Sequence, residues 1–117
     1  MGSNFVTRSF HTPDMADRSV DGFVAEFVTL GGVVFRRFTF EPGFHAAPRL
    51  KESMGIETCP YPHTLVVTSG SGVFKMQDGT EHKIGPWDIL QMDADHDFWT
   101  LGDEACVMIE PTAEGGA

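Results

Sequence analysis

The sequence predicts an all-β chain that folds as one small antiparallel domain. Three observations carry this prediction. Apolar residues recur at period two in short runs such as "FVAEFVTL" and "VVFRRFTF", which places alternate side chains on one face of a strand. Gly and Pro interrupt these runs at intervals of roughly 8–12 residues. No stretch holds a 3.6-residue period long enough for a helix of three turns. Many short, evenly spaced strands in one domain lead to a sandwich, a jelly roll or a small barrel.

The elements follow in order. "TPDMADRS" is expected to hold one helical turn, with Thr12 as cap and Pro13 at the first position. Gly22–Leu30 is the first strand. Gly31-Gly32 makes a tight hairpin, since both residues tolerate positive φ. Val33–Gly43 is the returning strand, ended by Pro42 and Gly43. Phe44–Glu57 has no clean period and reads as a loop, with room for a helical turn. His63–Gly70 is a strand and "SGVFKMQDG" another, closed by the Asp78-Gly79 turn. "EHKI" is a short strand and "GPWD" a turn. "DILQM", "HDFWTL" and "EACVMIE" are three more strands, and "PTAEGGA" is a fraying tail. This divides the chain into an arm over 1–21, a barrel over 22–111 and a tail over 112–117.

With 117 residues, 41% of them hydrophobic and 21% charged, the chain is of ordinary size and composition for a single globular core. Ten Phe suit half-buried strands or an apolar cavity wall. The net charge is -9 and no basic stripe is present, which argues against nucleic acid and against an anionic membrane surface as partners. No apolar run reaches the ~20 residues that span a bilayer. "MGSNFVTRSF" lacks the apolar core of a signal peptide, so the expected location is the cytoplasm. Thiols stay reduced there, and Cys59 and Cys106 are expected to be free.

Chemistry-bearing residues concentrate in two places. "GIETCPYPHTLVV" carries Glu57, Cys59 and His63, and "DADHDFW" carries His96 among three aspartates. The order around them is specific. The first segment precedes "VVTSGSGVF", an Asp-Gly turn, "IGPWDIL" and then His96. This layout resembles the two-motif arrangement of the cupin superfamily of small jelly-roll barrels. Counting back from Gly70 puts His63, Cys59 and Glu57 at the positions of that family's Glu and two His. The match is closer to a group of small bacterial cupins with a Cys-x-x-x-His pair and a "PPGHDAW-VVGDE" stretch. "DGTE" (Asp78–Glu81), "HD-x-W" (His96–Trp99) and "GDE" (Gly102–Glu104) stand intact here, and the resemblance runs from about Glu41 to Ile109. Departures fall at the cavity mouth. The Pro-Pro-Gly before the His is "DAD", and the Gly before Asp88 is Trp87.

The resemblance implies an antiparallel jelly-roll barrel with Glu57, Cys59, His63 and His96 converging in its mouth. One thiolate with two imidazoles favours Zn, Fe, Ni or Cu over Mg or Ca. Glu57 is expected as a fourth ligand or general base, and His63 as a further catalytic group. No organic cofactor is indicated. The expected activity is that of a cupin enzyme of isomerase, lyase, dehydratase or dioxygenase type, acting on a small metabolite. Two alternatives stand beside it: a metal-free catalyst using His63 and His96, and a non-catalytic binding or sensing module. Arg36, which alternates with Phe38 and Phe40, is expected to line the cavity together with Phe38, His45, Leu65 and Phe98. One carboxylate of Asp93, Asp95 and Asp97 is a candidate to orient His96; otherwise the three form a solvated lip. Small cupins often pair through an edge strand, so a homodimer is expected, with the N-terminal arm packed or exchanged in it.

Overall fold

A computed structural model describes residues 4–113 of the 117. The expected all-β architecture is present. Nine strands lie in two sheets among the described residues. β1 (Met15–Asp17), β2 (Phe23–Leu30), β3 (Val33–Phe40), β9 (Cys106–Ala113), β4 (His63–Ser69) and β7 (Ile89–Met92) form the larger sheet, in the order β1-β2-β3-β9-β4-β7. β6 (Glu81–Ile84), β5 (Ser71–Lys75) and β8 (Asp97–Leu101) form the smaller one. Every strand pair is antiparallel. The core lies between the sheets, where Val67, Cys106 and Met108 are fully buried and Phe74, Ile84 and Phe98 close the opposite side.

Alternation fixes the inward face of the large sheet. Phe23, Ala25 and Phe27 on β2 stand opposite Phe40, Phe38 and Arg36 on β3. These in turn face Cys106, Met108 and Glu110 on β9. The Gly31-Gly32 hairpin has φ of 60° and 77°, the left-handed pair that a two-residue turn requires. The chain crosses from β4 to β5 at Gly70, where φ is 72° and a Cβ would collide with the carbonyl of Ala105.

Three local expectations are corrected. Phe44–Glu57 holds a helix, α1 (Ala46–Met54). Its N-terminus is capped from a distance, because the Asp97 carboxylate accepts the Ala47 N–H at 2.9 Å. Gly55, at φ 73°, closes the other end by donating to the Lys51 carbonyl. Only Ala46 of the helix is buried, so its apolar period is faint in the sequence. The helical turn expected in "TPDMADRS" is a strand instead. Asp14 N–H donates to the Phe27 carbonyl, and Met15–Asp17 pair with β2. The tail expected to fray from residue 112 is strand through Ala113, paired with Val33; residues 114–117 lie outside the described residues.

Candidate metal centre

Cys59 and His96 sit on separate loops that bind each other. Cys59 N–H donates to the His96 carbonyl at 3.0 Å, and Asp95 N–H donates to the Cys59 carbonyl at 2.7 Å. This single bridge holds two of the candidate ligands at fixed separation. His63 opens β4 on the same side. One donor atom from each of Cys59, His63 and His96 lies within 4.8 Å of the other two. Cys59 Sγ is 3.4 Å from His63 Nε2. Tetrahedral zinc, with Zn–S of ~2.3 Å and Zn–N of ~2.0–2.1 Å, would set S and N about 3.5 Å apart. The group is thus able to hold a metal ion, with one position left for water or substrate.

The tautomers follow from the acceptors. His96 Nδ1 lies 2.8 Å from the Asp93 carbonyl, which can only accept, so Nδ1 carries a proton and Nε2 is the nitrogen left to face the centre. His63 Nδ1 faces both oxygens of Glu110, at 2.9 and 3.1 Å. The carboxylate accepts the hydrogen bond from Nδ1–H and turns Nε2 toward Cys59. Glu110 is itself fixed by the Thr64 N–H at 2.9 Å. A carboxylate behind a ligating imidazole is the usual device for holding ring orientation and raising ligand basicity.

The charges respond to these contacts. Burial pushes the Cys59 thiol up, but hydrogen bonds from His63 and His96 outweigh it and bring the thiol down to about 6. Burial pushes His63 down, but the hydrogen bonds to Cys59 and Glu110 and their charges carry it up to about 9. Without metal, the pair is a thiolate beside an imidazolium at neutral pH. Cys106, also free, is different: burial first and the Glu104 charge second push its thiol up to about 11, so it stays protonated.

Not every expected residue reaches the centre. Glu57 does not. Its side chain is 76% exposed and lies 3.5 Å from Lys51. The i, i+2 argument that pointed it inward assumed a strand, but residues 55–58 are irregular, with bends at 55, 57 and 58 after the helix. Of the three aspartates around His96, Asp93 supplies its backbone carbonyl and Asp97 caps α1. No carboxylate among them orients His96; Glu110, which plays the corresponding part for His63, was not singled out from the sequence. The available signal was Cys106-x-Met108-x-Glu110, an acid at the third inward position of an apolar strand.

A cavity of about 1490 Å³ opens beside the centre. It is lined by seven of the ten Phe and by Arg36, Leu65, Cys59, His63, His96 and Glu110. Phe38 stands edge-on to His63 with centroids 6.0 Å apart. A row of tilted rings runs across the barrel from Phe40 to Phe98 at 4.5 Å and Phe98 to Phe74 at 4.7 Å, and Phe74 meets His96 edge-on at 5.6 Å. Gly72 makes room for this row, since a Cβ there would strike the Phe98 ring. His45 is outside the cavity: between buried Phe44 and Ala46 it points outward, against Asp97 at 2.6 Å and the edge of Trp99.

Solved structures with this arrangement of strands place the fold. A cupin-2 domain from Rhodospirillum rubrum superposes with a TM-score of 0.61 at 15% identity, over 85% of this chain and 64% of that one. The chain has the fold of a small cupin. The chain thus spans less than two thirds of that neighbour's length. A conserved protein with a double-stranded β-helix domain from Klebsiella pneumoniae gives a TM-score of 0.64 at 17% identity, over 95% of this chain and 86% of the neighbour. The polyketide cyclase RemF from Streptomyces resistomycificus gives 0.67 at 12% identity, over 94% and 80%. No sequence-family model matches the chain, and no curated protein matches it by sequence.

Proposed function

We propose that this cupin is an enzyme acting on a small metabolite, with one divalent transition metal held by Cys59, His63 and His96. The observation that carries the reading is the meeting of three donor atoms within 4.8 Å, two with tautomers set by carbonyl and carboxylate acceptors. A non-catalytic binder needs no such convergence of polar groups on one wall of an apolar cavity. Bound there, the metal would act as a Lewis acid on a substrate or water oxygen, which suits isomerase, lyase, dehydratase and dioxygenase chemistry alike. His63 and Glu110 would hold or move a proton at Nδ1, and the Phe rings would exclude water. RemF, a polyketide cyclase of the same fold, supports reading the Phe-lined space as room for a partly apolar substrate. The proposal includes a cytoplasmic homodimer, in which reduced Cys59 remains available as a ligand.

A second reading has its own observation. Cys59 Sγ, His63 and Glu110 are arranged as thiol, base and orienting carboxylate, at 3.4 and 2.9 Å. In that reading the thiolate is a nucleophile and no metal is needed. Metal content by mass spectrometry separates the two, on protein purified without chelator. About one equivalent in the parent, lost in Cys59→Ala and His63→Ala, is expected. Less than roughly a tenth of an equivalent after reconstitution with Zn²⁺, Fe²⁺, Ni²⁺ and Cu²⁺ would overturn the metal reading.

A further inference from the structure

Arg36 and Arg37 are adjacent on β3 and point to opposite faces. Arg37, facing outward, is fully engaged: its Nε donates to Glu26 at 2.9 Å and its guanidinium lies 4.9 Å over the Phe10 ring. Arg36 lines the cavity. No ion pair holds it among the described residues. Its cross-strand neighbour on β9 is Glu110, but both oxygens of that carboxylate face His63 and the Thr64 N–H. The guanidinium instead sits 5.8 Å from the Phe27 ring centroid. A half-buried cation on an aromatic wall, whose cross-strand carboxylate is engaged by His63 and Thr64, has donors free for a ligand.

We infer that Arg36 is the recognition residue for a carboxylate, and that the substrate is a small organic acid with an aromatic or alkyl body. This rests on the reading that the cavity holds a small-molecule substrate. The apolar body fits the rings of Phe38 and Phe40, which continue the inward face of β3. The strand order β3-β9-β4 sets Arg36 two strand spacings, ~10 Å, from the strand that carries His63. One ring with a carboxylate at one end and a reactive group at the other spans that interval. Lys83 also borders the cavity, but it is exposed on the edge strand β6. The net charge of -9 opposes an anion at long range. Salt screens that field beyond ~8 Å, so selection of the anion falls to Arg36 at contact distance.

The test compares benzoate with benzamide, which share a ring and differ in charge. Binding is measured by calorimetry to zinc-reconstituted parent, Arg36→Met and Arg36→Lys, and to Cys59→Ala without zinc. The parent should prefer benzoate by about tenfold or more. Arg36→Met should lose that preference while its zinc content stays unchanged, which shows that the variant is folded. Arg36→Lys should retain part of the preference. Cys59→Ala should keep it, because Arg36 does not depend on the metal. Equal binding of the two probes by the parent, no saturable binding of either, or a preference that survives Arg36→Met would overturn the inference. In that last case the carboxylate sits on the metal. Failure of the parent to bind zinc would sink the metal centre alone and leave the Arg36 comparison to be read on metal-free protein.

Discussion

The β2-β3-β9 ladder and the mouth that carries Cys59 and His96 are built by different rules. In the ladder, eight consecutive residues of β3 pair with β2 on one side and with β9 on the other, without a break. Many equivalent hydrogen bonds and an alternating apolar face specify it, so no single residue decides the outcome. The mouth rests on one isolated bridge, Cys59 to His96, between segments that belong to no regular strand there. Beside this bridge Asp95 stands in left-handed backbone at φ 66°, as Trp87 does at φ 72° in the turn before β7. Redundant pairing tolerates substitution, whereas a site made of single contacts transmits each change to its chemistry.

The largest effect expected is on the fold. Gly70→Ala adds a Cβ against the Ala105 carbonyl at φ 72°, and should cost about 3 kcal/mol in denaturant unfolding. The fraction that folds should still bind a full equivalent of metal. Loss of metal from folded protein would show that the two regions are coupled.

Next comes Glu110→Gln, which removes the carboxylate behind His63 Nδ1 while keeping the side chain's shape. Metal affinity should fall about 10–100-fold, with a small change in melting temperature. An unchanged affinity would mean that His63 needs no orienting partner.

The third effect is on pH dependence. Metal binding requires Cys59 as thiolate and His63 Nε2 unprotonated. Cys59 loses its proton near 6 and His63 near 9, so between these values one proton is displaced per metal. Apparent affinity should therefore rise about tenfold per pH unit across that window and level off above it. Glu110→Gln should move the upper limit down, because the carboxylate raises His63. A pH-independent affinity from 6 to 9 would show that the thiolate–imidazolium pair is absent.

The smallest effect is Trp87→Gly. Trp87 is 73% exposed and packs little, so removing a left-handed non-Gly residue should stabilise the protein by about 1 kcal/mol. Asp95→Gly should gain less, since Asp accepts left-handed backbone more readily. Thermal unfolding of the two variants side by side checks both.

The ladder was legible in the sequence and the mouth only in part. β2, β3 and the Gly31-Gly32 turn follow from period two and from turn chemistry, which act between near neighbours. The helix α1 was not legible, because its N-terminal acceptor is Asp97, 50 residues away, and only Ala46 of it is buried. β1 was missed for a similar reason: its partner strand, not its own composition, makes it extended. Cys59, His63 and His96 emerged as candidates from a resemblance in motif order. Glu57 emerged with them and was displaced by the bends after Gly55, while Glu110 was passed over as one more residue of a strand.

By itself the sequence determined the all-β fold, the faces of the long strands, and the residue types available for metal chemistry. Alternation and turn residues are local properties, and a strand's face is settled within a few residues of itself. The tertiary structure alone decided which of those side chains meet. His63 finds Glu110 at 47 residues' remove, Cys59 finds His96 through one bridge, and Arg36 lines the cavity with no ion pair among the described residues. Such meetings depend on the register between distant strands and on where loops bend. Neither leaves a periodic trace in the chain.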